Sequence, residues 1–203
     1  MLHYNTVNQR TLELIKEIQD LQGFENLRLV GGTSLALQIG HRVSIDIDFF
    51  GDLNIDHISI VKKIKKLGNL KTIKSSENIH IFLLDNIKID IVNYEYPWLS
   101  EVVSEGKIRL AGFPDIAAMK ISAITNRGTK KDFIDLYFLL KKYSLESIIN
   151  FYLKKYNDAT LLLTLKSLTY FTDADSEPMP KMLIDISWDD IKKTIVSEVN
   201  NFI

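Results

Sequence analysis

The residues best equipped for chemistry in the first half of the chain are three aspartates and a glycine turn. Asp46 and Asp48 lie two apart in a stretch where Ile45, Ile47 and Phe49 alternate with Ser44, Asp46 and Asp48. That alternation predicts a strand with both carboxylates on one face and the apolar side chains turned into the core. Two adjacent carboxylates repel, and a divalent cation with a taste for hard oxygen ligands, Mg²⁺ or Mn²⁺, removes the penalty. The segment Ile87 to Val92 alternates in the same way, with Lys88, Asp90 and Val92 sharing one face. If it lies beside the first strand, Asp90 completes a three-carboxylate site able to clamp the attacking oxygen and a departing pyrophosphate. Just upstream, Gly31-Gly32-Thr33-Ser34 follows the short apolar run Leu27 to Val30. Its glycines let a ligand approach the backbone, and the free amides of the helix start, with the Ser34 hydroxyl, are suited to phosphate. A nucleoside triphosphate (NTP) with its metal has the matching chemistry. The turn is not a P-loop, since no Gly-Lys-Ser/Thr follows it.

A second group of residues lies in the other half. Lys120 sits among Ala117, Ala118, Met119, Ile121 and Ala123, so its ammonium is expected to leave an apolar helix toward a polar cleft and neutralise phosphate charge. Lys120 and Arg127 share one helical face, and Asp132 or Asp135 is placed to orient either. A surface pair between Lys131 and Asp135 is the plainer alternative. Arg42 is expected to contact a triphosphate or to pair with Asp46 or Asp48, while His41 reads as a loop residue. The four histidines, at 3, 41, 57 and 80, lack zinc-ligand spacing.

The elements that must position these groups fall into two regimes. Residues 1–95 alternate helical and strand patterns and predict a mixed sheet with helices carrying the metal and triphosphate site. Residues 96–113, punctuated by Pro97, Gly106, Gly112 and Pro114 at its border, read as a connecting segment. Residues 114–203 read as an all-helical part that completes the cleft. In the first regime Leu14, Ile15, Ile18 and Leu21 have helical spacing and Gly23 stops their helix. Thr33 or Ser34 is expected to cap the helix Leu35 to Ile39. Ile58, Val61, Ile64 and Leu67 form the buried stripe of another helix. Strands are expected at 70–74, 79–84 and 87–92, the last two meeting at the hairpin dipeptide Asp85-Asn86. In the second regime helices are expected at 115–126, 131–143, 145–156 and 159–170, then a loop around Ser176 to Pro180 and a final helix capped by Ser187.

Composition narrows the class. Of 203 residues, 46% are hydrophobic and 25% charged, which is ordinary for a globular chain able to bury a core unaided. There is no cysteine, which excludes disulfides, thiolate metal sites and a cysteine nucleophile. The N-terminus is interrupted by charges, and no apolar run approaches a membrane span, so the chain is read as soluble, without membrane contact, and cytoplasmic. Net charge is −1, and the lysine runs at 62–66 and at 71 and 74 read as solvated faces rather than a nucleic-acid patch.

The run Leu29 to Phe50, LVGGTSLALQIGHRVSIDIDFF, resembles the AbiEii/AbiGii toxin family of nucleotidyltransferases, within the DNA polymerase β-like superfamily. A second block, Met119 to Tyr137 (MKISAITNRGTKKDFIDLY), resembles that family's helical motif. A third, Asp173 to Pro180 with Ser187-Trp188, resembles the tail of many members. The resemblance implies an α+β nucleotidyltransferase fold and transfer of a nucleoside monophosphate from NTP with loss of pyrophosphate. It places the triphosphate turn on Gly32 and Ser34 and metal carboxylates on Asp46 and Asp48. The helical lysine falls on Lys120, and the late aspartate on Asp132 or Asp135. Many relatives are toxins of toxin–antitoxin or phage abortive-infection pairs, and some add nucleotides to tRNA ends. The expected acceptor is therefore an RNA, tRNA included, or a protein, and the expected partner a cognate antitoxin. A phosphohydrolase or nuclease using the same carboxylates, and a non-catalytic nucleotide-binding protein, are the alternatives. The chain is more compact than longer relatives.

Overall fold

The computed structural model describes residues 1–53 and 55–203. Its contacts divide the chain into two units, one of residues 1–95 and 102–111, the other of 96–101 and 112–203. Among the described residues no helix is long and apolar enough to cross a membrane.

The first unit is a seven-stranded mixed sheet with helices. Its elements are α1 (Gln9–Gln19), β1 (Arg28–Leu29), α2 (Gly31–Ile39), β2 (Ile47–Gly51), α3 (His57–Ile64), β3 (Leu70–Ser75), β4 (Ile79–Leu84), β5 (Ile87–Asn93), β6 (Val103–Glu105) and β7 (Ile108–Leu110). The strand order is β3-β4-β5-β2-β1-β7-β6. The β2–β5 and β1–β7 pairs are parallel and the other pairs antiparallel. Local chemistry accounts for most element ends. Asn8 caps α1 by accepting from Thr11 N at 2.7 Å, and Asp56 caps α3 by accepting from Ser59 N at 3.0 Å. Gly40, at φ 79°, closes α2 in the left-handed conformation that favours glycine. Asp85 and Asn86 both take positive φ, 50° and 65°, as a tight β4–β5 turn requires. The core joins Leu14, Ile15 and Ile18 of α1 and Ile60 and Ile64 of α3 to Ile47, Phe49, Phe82, Leu84, Ile89 and Ile91 of the strands.

Four sequence expectations change here. Ile58, drawn into the buried stripe of α3, is 75% exposed, and Ile60 takes its place in the core. The strand drawn from Ile45 begins at Ile47, and Ile45 is 54% exposed rather than in the core. Neither Thr33 nor Ser34 caps α2, which starts earlier, at Gly31. The stretch 96–113 is more than a connector, because β6 and β7 add two strands to the sheet edge. They are anchored by polar groups. The buried Gln19 amide donates to Leu27 O and Arg109 O at 3.1 and 2.8 Å and accepts from Arg109 N at 3.0 Å. The Arg109 guanidinium donates to Gln19 O and Phe24 O at 2.8 and 3.0 Å.

The second unit is helical: α4 (Phe113–Asn126), α5 (Lys130–Leu140), α6 (Leu145–Lys155), α7 (Leu161–Leu168), α8 (Thr172–Asp175) and α9 (Trp188–Phe202). α4 packs on α5, α6 and α7, and α9 packs on α5, α6 and α7. Ser144 and Ser187 cap α6 and α9. Residues 96–101 belong to this unit because a buried ion pair holds them. Asp115 accepts from Leu99 N at 2.9 Å, Ser100 N at 3.1 Å and Ser100 Oγ at 2.6 Å. It also meets Lys155 Nζ at 2.8 Å, with both side chains fully buried. Lys155 in turn donates to Pro97 O at 2.6 Å and lies over the Trp98 ring. Removing one member of a buried pair strands the other charge. Lys155→Met is expected to cost about 3–5 kcal/mol of unfolding free energy in urea titrations. A loss below about 1 kcal/mol, the range of an exposed pair, would contradict that assignment.

Candidate functional site

β2 runs parallel to β5 with Ile47 opposite Ile89, Asp48 opposite Asp90 and Phe49 opposite Ile91. The four apolar residues are fully buried on the core side. Alternation therefore sends Asp48 and Asp90 out of the other face together, on strands about 4.8 Å apart. Gly31 closes in on this pair. Its φ of +66° suits glycine, and a Cβ there would strike the Asp48 carboxylate. Asp90 is only half satisfied. Lys88 Nζ sits 2.5 Å from Oδ2, whereas Oδ1 is buried with no hydrogen-bond partner among the described residues.

Asp46 enters differently. It precedes β2, so strand alternation does not align it with Asp48. Its carbonyl accepts a hydrogen bond from the buried Thr33 hydroxyl, whose oxygen also lies 2.9 Å from Ser44 Oγ. The Thr33 hydroxyl, read as a candidate helix cap, thus ties the first turn of α2 to the backbone of Asp46. Ser34 is fully buried, and its Oγ accepts from Gln38 Nε2 at 3.2 Å. Gly31 and Gly32, both half-buried, open α2. His41 and Arg42 are buried, and Arg42 donates to Val43 O at 3.1 Å. Among the described residues no group of three or more His, Asp or Glu side chains is disposed to hold a metal ion. What the sheet itself brings together is the pair Asp48 and Asp90. Beside it opens a cavity of about 610 Å³ whose lining includes Arg10, Ile45, Asp46, Asp85 and Lys88.

The helical unit carries a second charged cluster. Lys120 is 5% exposed, and its Nζ lies 3.0 Å from Asp132 Oδ1 and 2.7 Å from Asp135 Oδ2. Asp132 Oδ2 accepts from Arg127 Nε at 3.1 Å and from Thr129 Oγ1 at 2.7 Å. Both aspartates hold Lys120, so the choice between them dissolves. Asp135 is fully buried, which excludes the surface pair with Lys131. Lys120 does not project into an open cleft as expected: two carboxylates enclose it. Burial pushes the Asp132 carboxyl up, but the charges of Lys120 and Arg127, with the hydrogen bonds from Arg127 and Thr129, outweigh burial and hold it below the ordinary carboxylate range. Beside Arg127 lies a cavity of about 340 Å³, lined also by Lys166, Tyr170 and Asp173.

Sequence reasoning passed over one cluster. Ser75 Oγ lies 2.7 Å from Nδ1 of both His57 and His80, and the two rings stack at 5.5 Å. Burial, and then the neighbouring His57 charge, push the His80 imidazole below its usual value. No spacing rule links residues 57, 75 and 80; only the β3–β4 register, which sets Ser75 against His80, joins two of them. Lys88 was visible on the Asp90 face, but its contact with the carboxylate was not.

Known proteins agree with this architecture. A protein of Aquifex aeolicus (strain VF5), described as the uncharacterized protein aq_aa25, is 36% identical over 197 residues, covering 94% of this chain and 95% of its own. The crystal structure of JHP933 from Helicobacter pylori superposes with a TM-score of 0.59 at 18% identity, covering 96% of this chain and 92% of that one. MenT4, a nucleotidyltransferase toxin of Mycobacterium tuberculosis H37Rv, superposes with a TM-score of 0.56 at 12% identity, covering 95% and 83%. At these identities the two structures speak for the fold, which is that of the nucleotidyltransferases. Family membership rests on sequence: the family model described as "Nucleotidyl transferase AbiEii toxin, Type IV TA system" matches residues 13–202. A match over nearly the whole chain, carried by a mixed sheet that sets Asp48 beside Asp90, means that this protein is a nucleotidyltransferase and belongs to the AbiEii toxin family.

Proposed function

We propose that the chain transfers a nucleoside monophosphate from an NTP to a hydroxyl of an RNA, tRNA included, or of a protein, and that it acts as the toxin of a toxin–antitoxin or abortive-infection pair in the cytoplasm. The observation that carries the chemistry is the register pair Asp48–Asp90 with Gly31 against it. The toxin role and an antitoxin partner follow the family description.

The residues fit a divalent cation. Two carboxylates leave one face side by side, and a buried Asp90 oxygen has no hydrogen-bond partner among the described residues. Asp48 and Asp90 would hold Mg²⁺ or Mn²⁺. Bound there, the ion supplies Lewis acidity and charge neutralisation at the triphosphate. The chain's own groups do the rest. Amides opening α2 at Gly31 and Gly32 bind phosphate oxygens, and the Thr33 hydroxyl ties that turn to the backbone of Asp46. Asp90 accepts the proton of the acceptor hydroxyl as its oxygen bonds to the α-phosphorus. The bond to pyrophosphate breaks, and pyrophosphate leaves with the electron pair. In the helical unit Asp132 and Asp135 enclose Lys120, which fixes α4 on α5, and Arg127, exposed at the rim of the cluster, is the positive charge assigned to the phosphates.

α-Labelled NTPs offered with cellular RNA and protein test the reaction. Transfer leaves label on an acceptor, whereas a phosphohydrolase leaves it on free nucleotide. Asp48→Asn is expected to lower transfer by roughly a thousandfold, equivalent to about 4 kcal/mol, with the fold retained; full activity in that variant would remove the core of the proposal.

The lysine cluster predicts a pH response. Asp132 titrates below its ordinary value of 3.8, so its contribution is complete above that value and is lost as pH falls through the lower folded value. Wild-type stability should therefore fall on acidification below about pH 4, and more steeply than in Asp132→Asn, which lacks the titrating group. Parallel acid-unfolding curves would show the cluster to be unimportant.

A further inference from the structure

We infer that Lys88 is an internal counter-cation of the carboxylate pair. It neutralises Asp90 in the ligand-free protein, competes with a divalent metal for that carboxylate, and on displacement turns its ammonium to the accompanying polyphosphate. The inference rests on the reading of Asp48 and Asp90 given above.

Lys88 and Asp90 are two apart on β5, so their side chains leave one face, and Nζ lies 2.5 Å from Oδ2. The contact satisfies one oxygen and leaves Oδ1 buried with no hydrogen-bond partner among the described residues. An ammonium is a point charge held by Asp90 alone, whereas a divalent ion could also meet the facing carboxylate of Asp48. The Lys88 side chain is 42% exposed against 21% for Asp90, so the lysine can leave while the carboxylate stays in place. It has somewhere to go: Lys88 and Asp46 both line the cavity of about 610 Å³. The other carboxylate of that cavity, Asp85, is already engaged by Arg10 at 3.0 Å and by Asn69 N at 2.9 Å. A displaced Lys88 is therefore available to an incoming anion, and a chain of phosphates is the anion that nucleotidyl transfer brings.

The experiment measures Mn²⁺ binding without nucleotide, by the spin-resonance signal of free Mn²⁺, in the full chain and three variants. Lys88→Met should bind Mn²⁺ roughly tenfold tighter than wild type, the effect of deleting one competing charge at contact distance on a part-exposed strand. Lys88→Arg keeps the charge and should bind as wild type does, which loss of packing alone would not produce. With inorganic tripolyphosphate present the advantage of Lys88→Met should shrink or reverse, because the ammonium then has its second partner. Equal or weaker Mn²⁺ binding by Lys88→Met, including no measurable binding by either protein, overturns the inference; an advantage undiminished by tripolyphosphate overturns the transfer of the ammonium to phosphate. Asp90→Asn separates the two levels. Weak binding in that variant supports the carboxylate site, and wild-type binding overturns the site together with what is built on it.

Discussion

The parallel pairing of β2 with β5 sets Ile47 against Ile89 and Phe49 against Ile91, and burying those four side chains on one face forces Asp48 and Asp90 out together on the other. The hydrophobic effect thereby maintains an electrostatically unfavourable juxtaposition. A slip of one residue would turn the carboxylates into the core and the apolar residues outward, so the register is held by the whole apolar face rather than by the charges. Gly31 tightens the arrangement from the side, since its backbone occupies the space any larger residue would take from the Asp48 carboxylate.

Much of this was readable from residue order. The alternation Ile87 to Val92, the Asp85-Asn86 turn, the Ser187 cap and the alanine-rich helix around Lys120 each carry a local signal. The misread elements share a physical cause: tertiary polar contacts replaced a local pattern. Ile45 continues the alternation of its neighbours, yet pairing begins only at Ile47, and the backbone before it is held by the Thr33 hydroxyl. The β6–β7 hairpin has three-residue strands, one of them largely exposed, and is fixed by the Gln19–Arg109 exchange, which leaves no periodicity. For the lysine cluster the sequence offered Asp132 or Asp135; two packed helices bring both to one ammonium.

The helical unit uses charge burial twice. Lys155 with Asp115 holds the segment 96–101, and Lys120 with Asp132 and Asp135 joins α4 to α5. Buried ions of this kind are a weak source of net stability, because desolvation consumes much of the attraction. Their effect is geometric: a lysine enclosed by fixed acceptors has one position.

The path of the backbone through residues 96–111 has a genetic corollary. Residues 96–101 belong to the helical unit while 102–111 return to the sheet, so neither unit is one uninterrupted stretch of coding sequence. A fragment ending at residue 95 would lack β6 and β7, and the β1 edge they cover would be bare, an invitation to pair with another molecule. Exchange of either half between homologues by a single crossover would meet the same obstacle, which ties the inheritance of the two parts together.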